Sequence, residues 1–314
     1  MPYSVVTTAA EGVHRIFYKK FGDDNAPHKL IFTMGLGGDH EQWEPQSRFF
    51  IEHDDCQVLV YDNRGVGFSD PVTGRWTTKS MAKDALCLLN NLGWHNDVHI
   101  IGLSMGGMIS QELALLDLKR FKSLTLISTI SGGIESLGLF VWNIPTGIKT
   151  LASTFGTTNP RQQLKNGLKL LYPEEFLNQI TVHEETGEEE TYFRKLKRAL
   201  IQRGVRTRDA GMPPTPISSV VKQAFAVMTH RISNENMRKM SRHFRDAALV
   251  ITGDSDILVH PQNSATLRSG LRAKLLILPL GGHGANEQFP EKVNEKILEN
   301  ILIGSNQASS QSKM

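Results

Sequence analysis

Ser104 stands in "GLSMGG" (102–107), after the apolar run "VHIIGL" and before the helix-period stretch "MGGMISQELALLDL". A hydroxyl between Gly102 and Gly106 at a strand-to-helix turn has the pattern of a nucleophile elbow. The turn leaves no room for flanking side chains, and its strained backbone holds the serine oxygen above the sheet. A serine hydroxyl is a poor nucleophile until a base takes its proton, so an imidazole and an orienting carboxylate must come from elsewhere in the chain. Two later loops offer them. Asp254 and Asp256 lie in "GDSD" at the end of "ALVITG", and His283 sits between glycines in "GGHG" after "KLLILP". Serine, aspartate, histidine is the chain order expected when a parallel sheet carries all three. His260 also follows a strand-like run, but its neighbour Pro261 opens a helical segment, which favours a capping or surface role. His40 and His243 lack even that context. No spacing of the H-E-x-x-H kind occurs, so neither metal nor cofactor is expected.

Such residues need a scaffold that delivers them to one edge. Six short apolar runs recur, at 29–35, 56–62, 97–104, 123–129, 248–253 and 274–279, with helix-period segments between most of them. In "TTKSMAKDALCLLNNLG", Met81, Ala85, Leu88, Leu89 and Leu92 fall at helical spacing and the pattern stops at Gly93. Strands that are apolar throughout and separated by helices predict an α/β fold, a mainly parallel sheet covered on both faces. From 131 to 244 no strand is expected, only amphipathic helices such as "PRQQLKNGLKLLYPEEFLNQI" and "EETYFRKLKRALIQRG", with a loop or hinge at 208–219. The expected organisation is therefore a core of 1–130 and 245–304, a helical cap insertion of 131–244, and a flexible polar tail of 305–314.

These motifs, together with "MGLGGD" (34–39) and "YDNRGVGFSD" (61–70), resemble the α/β-hydrolase fold superfamily, in its serine esterase and monoacylglycerol lipase-like branch with a helical cap. The resemblance covers about 14–129 and 246–303 and not the cap. It implies that the acid lies three residues after the glycine, which selects Asp256 and leaves Asp254 as a turn former or neighbouring support. It also implies an oxyanion hole made by the backbone N–H groups of Leu36 and Met105. The chain departs from the family where the early loop usually begins His-Gly, since here it begins Met34-Gly35. The donors are backbone groups and survive this change, but the side chains bracing the loop must differ. Asp62 and Arg64 are expected to bond within their own turn, with Gly65 and Gly67 permitting its path.

The function implied is hydrolysis of a small or lipid-like carboxylic ester, such as a monoacylglycerol, through an acyl-enzyme. Epoxide hydrolase and dehalogenase relatives place Asp where this chain has Ser104. A peptidase of the proline iminopeptidase type is a weaker match, because its oxyanion-loop proline and the tryptophan after its serine are missing. A ligand receptor that kept the triad but scarcely turns over is the alternative of a different class.

A formal net charge of +3 over 314 residues is too small for a general nucleic-acid binder. No stretch of about twenty apolar residues and no secretory leader is evident. Only Cys56 and Cys87 occur, expected as buried free thiols in a reducing compartment, cytoplasmic or peroxisomal. The chain ends in Ser312, Lys313 and Met314, close to the S-K-L address read by the peroxisomal import receptor; the alternative is a plain cytosolic tail. "LGLFVWNIPTGIKTLASTF" (137–155) opens the insertion, and Phe140, Trp142 and Ile144 could line an acyl pocket, touch a membrane transiently, or simply pack on the core. The acidic "EETGEEE" before "RKLKRALIQR" fits either a polar head group or compensation of the helix dipole.

Overall fold

The computed structural model describes residues 2–8, 12–53, 55–133 and 159–311. Phe140, Trp142 and Ile144, and the terminal Ser312, Lys313 and Met314, lie outside the described residues. The strands are β1 (Tyr3–Thr8), β2 (Gly12–Phe21), β3 (His28–Thr33), β4 (Cys56–Tyr61), β5 (Val98–Leu103), β6 (Phe121–Ile127), β7 (Ile180–Val182), β8 (Glu189–Thr191), β9 (Ala248–Gly253) and β10 (Lys274–Leu278). Eight of them form one sheet in the order β1-β2-β4-β3-β5-β6-β9-β10. β1 and β2 join it antiparallel, and from β4 onward every pairing is parallel.

The central strands read as unbroken apolar runs because both of their faces are covered: every residue of β4, β5 and β9 is buried. On one face lie α2 and α3; the helices in order are α1 (Glu44–Ile51), α2 (Thr78–Asn91), α3 (Met105–Leu116), α4 (Pro160–Leu171), α5 (Glu174–Leu177), α6 (Tyr192–Asp209), α7 (Ile217–Met228), α8 (Asn234–Phe244), α9 (Gln262–Leu271), α10 (Ala285–Gln288) and α11 (Pro290–Gln311). Met81, Ala85, Leu88 and Leu89 of α2 share a core cluster with Ile109 and Leu113 of α3, Met240 of α8 and Leu267 of α9. The opposite face is covered by Phe50 of α1 and by Val293, Ile297 and Ile301 of α11. Helix α2 starts at a capping box, in which Thr77 and Ser80 satisfy each other's backbone amides, and it ends before Gly93 at φ +69°.

The stretch between β6 and β9 differs from the all-helical expectation. Its helical pattern breaks at Tyr172-Pro173, and β7 and β8 pair antiparallel in a small separate sheet. The acidic run supplies part of that sheet, and Arg198 of α6 bonds both carboxylate oxygens of Glu190 at 2.8 and 2.7 Å. Leu168, Tyr172, Phe176 and Leu177 form a local apolar cluster of their own. The tail expected from 305 onward is also corrected, since α11 continues through Gln311. Ser305 Oγ donates to Ile301 O at 3.1 Å and lies 3.2 Å from His28 Nδ1, which ties that turn of the helix to the sheet. Cys56 and Cys87 are free thiols, the first buried and the second only partly so. Among the described residues no helix is long and apolar enough to cross a membrane.

Candidate active site

Ser104 follows β5 directly and has φ +56°, a left-handed conformation that costs energy for any side chain bearing a Cβ. Bonds on both sides hold it there. Its amide donates to Ile127 O at 2.9 Å, and Thr129 Oγ1 donates to its carbonyl at 2.7 Å. The flanking glycines are needed for close approach: a Cβ on Gly106 would collide with the Thr33 carbonyl, and one on Gly102 would lie 2.5 Å from Gly106 O. Gly35 brings the early loop against the serine, because a Cβ there would be 3.1 Å from Ser104 Cβ and 3.7 Å from its Oγ.

Asp256 and His283 follow β9 and β10, on the same carboxyl edge of the parallel sheet as Ser104. Their loops are stitched together, with the Asp254 amide bonded to Leu278 O at 3.1 Å and the Ser255 amide to Gly281 O at 2.9 Å. Asp256 is buried. Its Oδ1 accepts from the amides of Leu258 and Val259, both at 2.9 Å, and its Oδ2 lies 2.9 Å from His283 Nδ1. Gln288 closes the histidine loop by accepting from the Gly282 amide at 2.8 Å and donating to Leu280 O at 2.7 Å. A proton on Nδ1 shared with Asp256 leaves Nε2 as the free base of the ring. Among the described hydrogen bonds none joins the Ser104 hydroxyl to His283.

The amides of Leu36 and Met105 have no acceptor within the chain among the described hydrogen bonds. For Met105 this follows from its place at the first turn of α3, where amides have no partner in the helix. Loop 34–38 is braced by groups other than a histidine at position 34. Asn63 Nδ2 donates to Met34 O at 2.9 Å, and the Gly37 amide donates to Gln223 Oε1 of α7 at 2.8 Å. Asp62 reaches beyond its own turn: it accepts from the Phe68 amide at 3.0 Å, and its Oδ1 also bonds the His40 amide and lies against His40 Nδ1, both at 2.8 Å. Gly67, at φ +55°, leaves room for that carboxylate. Arg64 reaches out of the turn to pair with Asp84 of α2 at 2.6 and 2.7 Å, fully buried.

The β6–β9 stretch docks on the same edge. The Gly284 amide donates to Leu171 O at 3.1 Å, Tyr172 OH donates to Glu287 Oε2 at 2.6 Å, and Arg203 Nη1 donates to Glu287 Oε1 at 2.7 Å. Burial and the neighbouring Asp62 push the Asp39 carboxyl above the usual range, while Arg203 pulls it back. A cavity of about 420 Å³ opens beside these contacts, lined by Tyr172, Pro173, Asp254, Asp256, His260 and Gly282; Ser104 does not line it. His260 caps α9 by accepting from the Gln262 amide at 3.2 Å, and Asp254 accepts from Ser255 Oγ at 2.8 Å at the surface. Gln223, Glu287, Tyr172 and Arg203 were not readable from sequence, because each partner lies more than eighty residues away and no local pattern marks the pairing.

The model of the alpha/beta hydrolase fold family matches residues 30–290. The chain belongs to that family. This α/β hydrolase is 33% identical over 108 residues to 3-oxoadipate enol-lactonase 1 of Acinetobacter baylyi, a match covering 34% of this chain and 39% of the relative's length. A longer match, 27% over 275 residues and covering 87% of this chain and 91% of the relative, is to the Stutzerimonas stutzeri protein named "Putative carbamate hydrolase RutD". The solved enol-lactonase from Burkholderia xenovorans LB400 superposes with a TM-score of 0.69 at 21% identity, over 96% of this α/β hydrolase and all of that chain. At that identity the likeness is one of fold.

Proposed function

We propose that this α/β hydrolase is a serine hydrolase that cleaves carboxylic esters through an acyl-enzyme, with Ser104 as nucleophile, His283 as base and then acid, and Asp256 as the group that orients the imidazole. The observation that supports this reading is the strained Ser104 on the same sheet edge as a His283–Asp256 pair at 2.9 Å. Ser104 Oγ attacks the carbonyl carbon while its proton passes to His283 Nε2. The charge that develops on the carbonyl oxygen is received by the amides of Leu36 and Met105, and Asp256 stabilises the imidazolium. Collapse expels the alcohol with the proton from His283, and a water activated by the same nitrogen releases the acid. An enol-lactone is a cyclic ester, and a carbamate carries a heteroatom leaving group on its carbonyl, so the names of both relatives fall within this acyl-transfer chemistry.

The test is labelling with a fluorophosphonate, competed by esters of graded acyl length. Wild type should label at Ser104 and turn over at least one ester series, and Ser104→Ala should lose both, with kcat down by at least about 10³-fold. Near-normal turnover in Ser104→Ala would remove the assignment. Labelling with a single burst and no sustained turnover would favour the receptor reading.

A further inference from the structure

We propose that the outward face of α7 is a docking surface for an anionic lipid bilayer, into which Ile217, Val221, Phe225 and Met228 insert while Arg75 and Arg231 meet the headgroup phosphates. The proposal does not depend on the chemistry assigned to Ser104. Between Gly211 and Thr229 the chain carries a single charged residue, Lys222. A surface helix ordinarily turns its apolar stripe to the core and its charges to water. α7 is reversed: the residues it buries are Ser219, Gln223 and Ala226, whereas Ile217, Val221, Phe225 and Met228 are exposed to 77, 62, 41 and 61%. Those four fall at i, i+4, i+8 and i+11, in one stripe about 16 Å long. Lys222 does not interrupt it, because its ammonium is turned to Val72 O at 2.9 Å and lies over the Trp76 ring.

Four large apolar side chains left in water along one helix face forgo the burial that drives folding, and such a patch marks a surface that another apolar phase covers. The rim identifies that phase. The Arg75 guanidinium lies 4.5 Å from the centre of the Phe225 ring, and Arg231 is exposed three residues beyond Met228. Neither has a carboxylate partner among the described residues. An apolar stripe edged by such arginines is the pattern of a helix lying in a bilayer interface, with its side chains among the acyl chains and its cations at the headgroups. A second copy of the chain fits less well. Pairing α7 with itself would bring the arginines of both copies to one rim, and a single twelve-residue helix face is well short of the area of a stable protein interface.

The test is flotation of the full-length protein with vesicles of phosphatidylcholine, alone or with about one quarter phosphatidylserine. Wild type should float with the anionic vesicles, and added salt should weaken that binding. Val221→Asp/Met228→Asp, changed only at exposed positions, should lower the partition coefficient by at least about tenfold. Arg75→Gln/Arg231→Gln should lower it on anionic vesicles by roughly fivefold for each arginine and leave binding to neutral vesicles unchanged. Melting curves that match wild type establish that both variants are folded, and either one alone carries the test. Wild type that floats with neither vesicle, or aspartates that leave flotation intact, overturn the proposal. So does a wild-type dimer that the aspartates convert to monomer, because the face then belongs to a second copy. If flotation behaves as expected but wild type neither labels with fluorophosphonate nor hydrolyses esters, the docking surface stands and the serine hydrolase reading fails.

Discussion

Two histidine–aspartate pairs in this molecule have almost the same local geometry. His283 Nδ1 lies 2.9 Å from Asp256, and His40 Nδ1 lies 2.8 Å from Asp62. Their surroundings separate them. His40 is enclosed under Phe17 and Phe68, and its second nitrogen faces Glu41 Oε1 at 3.4 Å. Burial works against a charge on that ring, but Asp62 and Glu41 outweigh it and hold its pKa up to about 9. A ring that stays protonated cannot act as a base at neutral pH. The same pairing held between anions, under the early loop, is a brace; at the carboxyl edge His283 Nε2 has no partner among the described hydrogen bonds, as the proposed role requires. A histidine–aspartate contact alone is therefore not a signature of catalysis.

The sharpest way to break this contrast is to remove each imidazole. His283→Ala should lower kcat on esters by about 10³-fold or more with little change in melting temperature. His40→Ala should do the reverse: leaving the buried Asp62 carboxylate without its cationic partner, held only by the amides of Phe68 and residue 40, costs about 3–5 kcal/mol of stability, read as a lowered denaturant midpoint. Equal effects of the two on kcat per folded molecule would erase the distinction.

The carboxylates sharpen it further. Asp256→Asn keeps an oxygen for the Leu258 and Val259 amides but loses the acceptor for His283, so kcat should fall by about 10²–10⁴-fold while the fold persists. Loss of stability instead would make Asp256 a second brace.

Proton linkage gives a subtler difference. His40 titrates near 6.5 when unfolded and at about 9 when folded, so its contribution is complete below pH 6.5 and is lost as pH rises through 9. Wild-type urea midpoints should therefore decline across that window, and His40→Gln should remove that part of the slope. The smallest expected effect is that of Tyr172→Phe, which removes one bond to Glu287 and should cost about 1 kcal/mol, with a minor effect on kcat. A large kcat loss there would mean that the docked β6–β9 stretch, and not only Gln288, holds the histidine loop.

The parallel strands were readable because burial on both faces demands uninterrupted apolar residues, as in "CQVLVY" and "ALVITG". β2 was not, since "GVHRIFYKKF" mixes basic residues into a strand buried only at His14, Ile16 and Phe17. The hairpin β7–β8 was missed for a related reason: three-residue strands of mostly exposed residues leave no periodicity to find. The reach of α11 to Gln311 was missed because the sequence of its last turns is polar, and the contact of Ser305 with His28 joins residues far apart in the chain.

By itself the sequence determined the central parallel strands and marked Ser104 and His283 as candidates, because strand burial and a glycine-bounded turn are local properties; the choice of Asp256 over Asp254 came from the family resemblance. Only the tertiary structure decided which of the remaining polar groups matter: that His40 belongs with Asp62, Arg64 with Asp84, Glu287 with Tyr172 and Arg203, and Gln223 with Gly37. Those pairings depend on a partner brought close by the packing of distant helices on one sheet edge, and a hydrogen bond is defined by distance and direction, which no spacing along the chain encodes.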